Sequence, residues 1–550
     1  MPQEITSVDS NQSIYRAAPG TEILYDIAED GLGSRRLHDL QHVESGDGHL
    51  LLVPQPSLTD PNDPLRWPTL KKWVTFFYAL GYSFMGAVTG PIMTAWMVEG
   101  ATFYKTSIQR MTYTVGATLI CQGVATTLWM PFAVKYGRRP VYLFSNTLMG
   151  VGCIWLAIAS KTTYTSFLVG RAFLGVFEAP IESIVPSTIT DIFFLHDRGA
   201  KVSYYGLSIL GGNELGPMLS ALIIQSLGMA WTFYIVATFI FALSIGQFLH
   251  MPETMYLGAR PTLDFQQIVT DAGKDSEGVS QIEVVELNTF TVPKKTFLRE
   301  LSFWGLNDKS VSLWQAFARP FVLLAYPTVI WSCCCYGLAI SWNVIMATTN
   351  GHATVSAGYL ILGPYSFSPA AQGLIFGSPL IGSLVGTYVC GPAADNVANF
   401  LTRRNNGIRE PEMRLPTCVI AAALTVIGYL IAALCLHYQT HWAGPIIGYG
   451  ILSAGGQMGA TIAMSYALDC HQELSVELMV TLASMKSAIA WIWTWVINDW
   501  LIRDGPLVVL MVVMAVNLVV YASAMVLYVK SKAIRIWLHE NNFMRACKLA

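Results

Sequence analysis

Twelve apolar segments recur along the 550-residue chain, and each is near the length that a helix needs to cross a bilayer. A helix needs about 20 residues to cross roughly 30 Å of hydrocarbon. The segments cover residues 73–97, 112–133, 141–160, 165–187, 203–227, 230–250, 321–347, 368–392, 416–436, 443–467, 476–500 and 506–529. This pattern predicts an all-α polytopic membrane protein with six spans on each side of a polar insert.

Charged residues are scarce, and their positions orient the spans. Only 12% of the residues are charged, against roughly 25% in an ordinary soluble domain. Of the 33 basic residues, 27 lie on the side that holds both termini and the polar insert. Because Lys and Arg collect on the cytoplasmic side, we predict cytoplasmic termini in a multi-pass protein, most simply of the plasma membrane. The net charge of −2 offers no basic surface for nucleic acid.

The polar insert divides the chain into five regions. We expect a cytoplasmic leader at 1–72, a six-helix bundle at 73–250, a cytoplasmic central loop at 251–320, a second six-helix bundle at 321–529 and a tail at 530–550. The tail mixes basic and apolar residues, so it lies on the membrane surface or is solvated. The sequence contains no phosphate-binding loop, nucleotide fingerprint, metal cluster or nucleophile–base pair. We therefore predict no enzyme and no cofactor, and an ion gradient as the energy source.

Three ionisable residues fall on one face of the fourth span. An ionisable side chain at the centre of a membrane helix costs at least about 2.5–3.5 kcal/mol, so it should face water or a partner. At about 100° per residue, Arg171, Glu178 and Glu182 share a face with Gly175. This stripe predicts half of a water-filled path in which Glu178 or Glu182 carries a proton. The alternative is a buried ion pair that fixes the helix against its neighbours.

Other spans carry isolated polar groups at membrane depth. Glu214 precedes Gly216-Pro217 in the fifth span, and Lys486 lies near the middle of the eleventh, where it needs a carboxylate, a carbonyl or water. Tyr336 and Asn343 share a face of the seventh span and predict a hydrogen-bonding wall opposite the fourth. For each of these residues, a purely structural contact between helices is the alternative.

Short motifs in the turns and spans carry a family resemblance. They comprise Gly137, Arg138 and Arg139 after the second span, Arg171 and Gly175 in the fourth, Gly212, Asn213, Glu214, Gly216 and Pro217 in the fifth, Pro252, Glu253 and Thr254 after the sixth, and Asp395, Arg403 and Arg404 after the eighth. In this order the chain resembles the major facilitator superfamily. The stretches 52–67 and 363–368 resemble its fungal twelve-helix drug:proton antiporter-like members. Met130, Val134 and Lys135 stand at the family's Gly, Asp and Arg positions, so gating near Gly137 falls to the two arginines.

The resemblance implies a mechanism and a class of cargo. Two six-helix bundles, each built from inverted three-helix repeats, rock about a central site, and the motif residues gate it. The expected partners are protons, a small organic compound (drug, toxin, secondary metabolite or organic cation) and the lipid bilayer, with the chain functioning as a monomer. Export is favoured because the motif of the fifth span is the antiporter-associated one. Proton-coupled uptake of a nutrient or organic cation remains open, as does a transporter-like sensor that does not transport.

Overall fold

The computed structural model describes residues 22–23, 42–45, 48–51, 56–57, 60–258, 260, 293–304, 307–308, 311–348, 368–405, 408–471 and 474–541. Twelve long helical segments in these ranges coincide with the predicted spans and are numbered α1–α12. Their bounds are α1 Thr69–Thr89, α2 Ile108–Tyr136, α3 Arg138–Ala159, α4 Tyr164–Glu178 continued by Ile184–Ile192, α5 Leu195–Leu227, α6 Met229–His250, α7 Pro327–Thr348, α8 Gly377–Arg404, α9 Cys418–His437, α10 Ala443–Cys470, α11 (475–504) and α12 (506–541). The prediction of an all-α protein with two six-helix halves is confirmed.

Shorter elements connect the long helices. They are the helices Met97–Phe103, Phe297–Glu300, Leu313–Leu323 and Pro369–Leu374, the 3-10 turns Pro64–Arg66, Thr94–Trp96, Ala179–Glu182 and Pro411–Thr417, and the strands β1 Glu22–Ile23, β2 His42–Ser45, β3 Gly48–Leu51 and β4 Ile408–Arg409. β1 pairs with β4 and β2 with β3, both antiparallel, with His42 opposite Leu51.

Length and apolarity identify fewer membrane spans than the fold contains. In the described part of the chain, eight helices are long and apolar enough to cross a membrane, and a ninth qualifies if Leu313–Leu323 and Pro327–Ala339 form one bent span. α4 fails because its two pieces have 15 and 9 residues. α10 is not among the eight, and its buried face is rich in glycine.

Proline ends two helices earlier than we predicted. The first span, expected to reach residue 97, stops at Thr89, and Gly90-Pro91 leads into the turn Thr94–Trp96. The fourth span, expected as one helix over 165–187, is interrupted by the turn Ala179–Glu182, which contains Pro180. Proline lacks an amide donor, and its ring clashes with the preceding turn of an α-helix. The single regular stripe predicted from Arg171 to Glu182 is therefore wrong in its geometry.

Both ends of the second half also differ from the prediction. The seventh span begins at Pro327 rather than residue 321, and the helix Leu313–Leu323 before it is bent away by 81°. At the C-terminus, α12 continues to Asn541, twelve residues beyond the predicted end. The described part of the tail, expected to be solvated or on the membrane surface, extends this helix. It does so because Arg535 and Leu538 are buried against the rest of the half.

Each half has its own apolar core. Residues of α1 to α6, including Phe76, Met149 and Phe233, form one continuous cluster. Three smaller clusters fill the second half. A further cluster joins Met130 of α2, Ala316 of the helix Leu313–Leu323 and Val480 of α11, so it packs the two halves together at the predicted cytoplasmic end.

Candidate functional site

An ion pair joins the two halves near the middle of the membrane. Lys486 of α11 donates to Oε1 of Glu182, which lies in the turn that interrupts α4. The residues are only 7% and 5% exposed. Lys486 lies eleven residues into α11, about 16 Å from its start at 1.5 Å per residue. The two oppositely charged groups, predicted separately from the sequence, thus form one contact between the halves.

Polar groups from three helices surround this pair. Gln122 Nε2 of α2 lies 3.5 Å from Glu182 Oε1, and the hydroxyl of Tyr205 in α5 donates to the Glu182 carbonyl at 3.4 Å. Lys486 Nζ lies 5.7 Å from the centre of the Tyr336 ring of α7. This distance permits a cation–π contact, which is stronger where water is excluded. The side chain of Asn343, predicted to line the same wall, lies outside the described residues.

The second carboxyl on α4 lies one turn before the first. Glu178 is buried, and its Oε2 atom has no hydrogen-bond partner in the described part of the chain. Oε2 of Glu182 is also without a partner there. These two unpartnered carboxyl oxygens leave hydrogen-bonding capacity for a proton, water or a bound ligand.

Arg171 interacts electrostatically with Glu178 and holds the end of α1. It is fully buried, and its guanidinium donates to the carbonyls of Thr89 at 2.9 Å and Gly90 at 2.7 Å. The last carbonyls of a helix have no partners within the helix and carry partial negative charge, so a cation stabilises them. This geometry favours the structural alternative for Arg171. Beside it, Gly175 packs against the backbone of Thr118 so closely that a side chain would not fit.

The motif of the fifth span faces two ways. Gly212 and Gly216 pack against the backbone of α1 at Phe84 to Val88, where a Cβ atom would collide. Glu214 points the other way, into the second half, because two residues along a helix turn the side chain by about 200°. There it contacts Ser383 of α8 and Ser453 of α10. The motif therefore joins α5 to its own half by glycines and to the other half by a carboxyl.

The halves also meet along α2 and α11 on the outer side of the ion pair. Gln109 Nε2 donates to the Thr494 carbonyl at 3.2 Å, and the Tyr113 ring stacks on Trp495 with ring centres 4.5 Å apart. Together with the apolar cluster at Ala316, these contacts close the seam between α2 and α11 on both sides of Lys486. The ion pair lies within a closed interface.

A half-buried carboxylate, Glu253, organises the turn between α2 and α3. Gly137 has φ +95°, and the backbone amides of Arg138 and Arg139 each donate to Glu253 at 3.0 Å. Glu253 thus binds the amides at the start of α3, where a negative charge is favourable. Burial raises the pKa of the Glu253 carboxyl, and its backbone hydrogen bonds oppose that shift.

The two arginines of this turn bind within the first half. Arg138 pairs with Asp191 at the end of α4, with Nε 2.5 Å from Oδ2. Arg139 donates to the carbonyls of Met251 and Phe248 at the end of α6, and to Leu301 in the central loop. These contacts fix α3, α4 and α6 to one another. The gating role assigned to Arg138 and Arg139 remains a prediction.

Gly137→Ala should destabilise the protein more than Gly228→Ala. Both glycines have a backbone conformation that other residues rarely adopt, with a cost of roughly 1–3 kcal/mol. A Cβ on Gly137 would also collide with the Glu253 carboxylate, whereas Gly228 has open space. We expect Gly137→Ala to lower the free energy of unfolding, measured by SDS titration, by about 1–3 kcal/mol more than Gly228→Ala does. This difference is the net contribution of the two hydrogen bonds from the amides of Arg138 and Arg139 to Glu253. Equal losses would show that Glu253 does not stabilise the turn.

The second half has a comparable arrangement at the same end. Arg414, in the turn Pro411–Thr417 before α9, has its Nε atom 2.8 Å from Oδ2 of Asp469 at the end of α10, as Arg138 meets Asp191 in the first half. Glu412 and Arg535 form a buried pair at 2.7 Å, which fastens the extension of α12. Arg403 and Arg404 are exposed, and the Arg404 guanidinium lies over the Phe400 ring. The side chain of Asp395 lies outside the described residues.

Arg535→Ala should strongly destabilise the second half. The Arg535 side chain is 1% exposed, and its removal leaves the Glu412 carboxylate buried without its cation. Breaking such a pair costs about 3–5 kcal/mol, measured as a loss in the free energy of unfolding by SDS titration. Arg503→Ala is the matched control, because Arg503 pairs with Asp504 but is 78% exposed. If the Arg535→Ala and Arg503→Ala variants had the same free energy of unfolding, the buried pair of Arg535 and Glu412 would not stabilise the second half.

Several residues of the site carry no sequence signal of their own. Tyr205, Gln122, Ser383 and Ser453 are ordinary polar residues in apolar helices, and only the packing of the helices brings them to a carboxyl. The stretch 52–67, which carries part of the family resemblance, makes a structural contact. Asp63 of that stretch is buried, caps the turn Pro64–Arg66 and pairs with Arg260 at 2.7 Å.

Two six-helix halves with buried charges at their interface define a membrane transporter of the alternating-access type. Sequence comparison agrees, since residues 73–474 match the Major Facilitator Superfamily. The chain belongs to this superfamily, whose members are transporters and not enzymes.

Three of its relatives are fungal proteins. The chain is 26% identical to an uncharacterised MFS-type transporter of Schizosaccharomyces pombe, over 88% of this chain and 86% of that protein. It is 24% identical to the protein HOL1 of Saccharomyces cerevisiae, over 94% and 95%, and 26% identical to the MFS-type transporter penM of Penicillium rubens, over 78% of each. Among solved structures, the proton:xylose symporter XylE aligns with a TM-score of 0.57 at 12% identity, over 83% of this chain and 96% of that one. That likeness concerns the fold.

Proposed function

We propose that the protein is a proton-coupled secondary transporter that moves a small organic compound by alternating access, with export favoured. The observation that carries the proposal is the buried pair of Glu182 and Lys486, which links the two halves. Protonation of Glu182 removes its charge and hence the attraction to Lys486. The interface then loses a contact that the closed seam needs, so a proton on Glu182 favours separation of the halves.

Glu182 suits this role better than its neighbours. Glu178 lies on the same element but forms no ion pair with the second half in the described part of the chain. Arg171 is engaged by carbonyls of its own half and stays charged, so it does not carry the proton. Of these three residues of α4 and its turn, Glu182 is the one whose protonation changes a bond to the second half in the described part of the chain. The pH gradient is the energy source, and no cofactor takes part.

The carboxyls also bear on the cargo. Three buried carboxyls, Glu178, Glu182 and Glu214, are accompanied by only two buried cations, Arg171 and Lys486. A cationic or amphipathic organic compound fits this excess of acidic groups better than an anion does. Export is favoured because the motif that presents Glu214 is the one associated with antiporters.

Proteoliposomes test the proposal. The purified protein is reconstituted, a pH gradient is imposed, and a panel of organic cations, neutral drugs and anions is screened for accumulation. We expect at least one compound to accumulate against its own gradient and to be released by a protonophore. If the protonophore released none of the compounds that accumulate, proton coupling would be contradicted. The direction of the pH gradient that drives accumulation distinguishes export from uptake.

A further inference from the structure

A second carboxyl lies between the halves, on the outer side of the central pair. Glu214 is fully buried in α5 and lies thirteen residues, about 20 Å, before the end of that helix at Leu227. Ser383 lies six residues into α8 and Ser453 ten residues into α10, both counted from the predicted outer ends of these helices. The contact of Glu214 with Ser383 and Ser453 therefore lies near the middle of the membrane, closer to the predicted outer side than Lys486, which is eighteen residues, about 27 Å, from the outer end of α11.

This contact is part of a larger interface that we call the outer seam, formed by residues 214–225 of α5 against residues 370–383. Gly373 packs against the Pro217 carbonyl and the side chain of Ala221, with no room for a Cβ atom. Nearer the surface, the amide of Ala370 donates to Gln225 Oε1 at 2.9 Å. The seam is closed over its whole length, so Glu214 meets water only when it opens.

No cation accompanies Glu214 in the closed seam. The described residues place no basic side chain within ion-pair distance of its carboxyl, and its Oε2 atom has no hydrogen-bond partner among them. In the described part of the helices packed around it, the charged side chains lie near the predicted cytoplasmic end: Lys71 and Lys72 on α1, Lys201 on α5, Arg403 and Arg404 on α8, and Asp469 on α10. Of the phenols, Tyr82, Tyr205, Tyr449 and Tyr466 are buried, Tyr78 is half-buried, and Tyr204 and Tyr388 are exposed. An isolated carboxylate is very costly to bury, so the neutral acid is favoured.

The hydrogen-bond inventory points the same way. Ser383 Oγ lies 2.8 Å and Ser453 Oγ 3.2 Å from Glu214 Oε1, and the two hydroxyl oxygens lie 2.6 Å apart. Ser453 Oγ also lies 2.9 Å from the Pro379 carbonyl. Each hydroxyl has one proton to donate, so a carboxylate leaves two protons for four contacts. The acid form supplies a third.

From this geometry we infer that Glu214, Ser383 and Ser453 form a proton-dependent latch on the outer seam, distinct from the pair of Glu182 and Lys486. The seam closes on the protonated acid. When it opens, the exposed carboxyl releases its proton to water on that side and becomes a carboxylate, as an exposed Glu does above about pH 4. The inference rests on the proposed function, because it assumes that the two halves part at this seam.

Linkage gives the direction and size of the effect. Opening releases one proton, so a rise in pH favours the open seam, by at most about tenfold per pH unit. The response begins above the ordinary pKa of an exposed Glu, about 4. It requires no substrate and no pH gradient. Glu214→Gln keeps a neutral amide that still hydrogen-bonds to the serines, so the seam should stay closed at every pH.

Thiol labelling tests the latch. The full chain with Ala221→Cys, which places a thiol on the closed seam, is held in nanodiscs and labelled with a hydrophilic maleimide across a pH series. The rate is divided by that of Thr102→Cys, an exposed position near the same end, to cancel the effect of pH on thiol chemistry. We expect the ratio to rise with pH, the rise to be lost with Glu214→Gln, and the rise to persist with Glu99→Gln, which removes an exposed carboxyl at the same end.

The same rise with and without Glu214→Gln would overturn the latch. Should Glu214→Gln fail to fold, Ser453→Ala provides the second test, since loss of a partner of the acid form should move the rise to lower pH, and an unmoved rise overturns the inference. If labelling of the seam depends on Glu214 but the protein accumulates no compound under a pH gradient, the latch is supported and the proposed function is contradicted. If the protein transports under a pH gradient but labelling of the seam does not depend on Glu214, the proposed function is supported and the latch is contradicted.

Discussion

Glu182→Gln should abolish accumulation driven by a pH gradient while exchange of substrate across the membrane continues. Glutamine keeps the size and the hydrogen-bonding oxygen of Glu182 but carries no exchangeable charge. For each coupled proton, a gradient of about one pH unit supports about tenfold accumulation of substrate. In the variant the accumulation ratio should fall to about one, because no proton moves with the substrate.

Counterflow in the same proteoliposomes separates this loss of coupling from a loss of folding. Vesicles preloaded with unlabelled substrate should still take up labelled substrate through Glu182→Gln without any pH gradient. Glu178→Gln tests the neighbouring carboxyl, which lies one turn away but is not bonded to Lys486. Glu99→Gln is the exposed control. If Glu182→Gln still accumulated substrate fully under a pH gradient and Glu178→Gln did not, the coupling proton would be assigned to Glu178 instead of Glu182.

Lys486→Met should destabilise the protein by about 3–5 kcal/mol, and adding Glu182→Gln should restore most of that loss. Lys486→Met alone leaves a carboxylate buried between the halves without its cation, which is the costly half of a broken pair. Replacing both partners by neutral groups of similar size removes the uncompensated charge. The free energies of unfolding of the two single variants and the double variant, measured by SDS titration, give the coupling between the residues.

The double variant also separates stability from coupling. It should fold and exchange substrate, yet fail to accumulate it under a pH gradient. If Lys486→Met alone were as stable as the unmodified protein, the ion pair would not be the contact that closes the interface. If the double variant still accumulated substrate, the proton would travel by another residue.

The sequence predicted the fold well because apolar length and basic residues act locally. The six spans on each side of the insert, and the need of Lys486 for a partner, follow from the cost of burying polar groups in hydrocarbon. The motif glycines were also recognisable, although the contacts that explain Gly212 and Gly216 lie on α1. These features depend on one helix and its solvent.

What the sequence could not predict depends on several helices at once. A regular helix places Glu178 and Glu182 on one stripe with Arg171, but Pro180 interrupts that helix, and Arg171 binds the end of α1 instead. The partner of Lys486 lies 304 residues earlier in the chain. The extension of α12 depends on the buried pair of Arg535 and Glu412, and Arg535 alone resembles any basic residue of a tail.

The most direct test of the account is the simultaneous measurement of proton and substrate flux in one population of proteoliposomes. A pH-sensitive dye trapped inside reports protons, and a labelled compound found in the screen reports substrate. The unmodified protein should move protons in fixed proportion to substrate, and Glu182→Gln should move substrate with no accompanying protons. An unchanged proportion of protons to substrate in Glu182→Gln would contradict the central claim that this carboxyl couples the two.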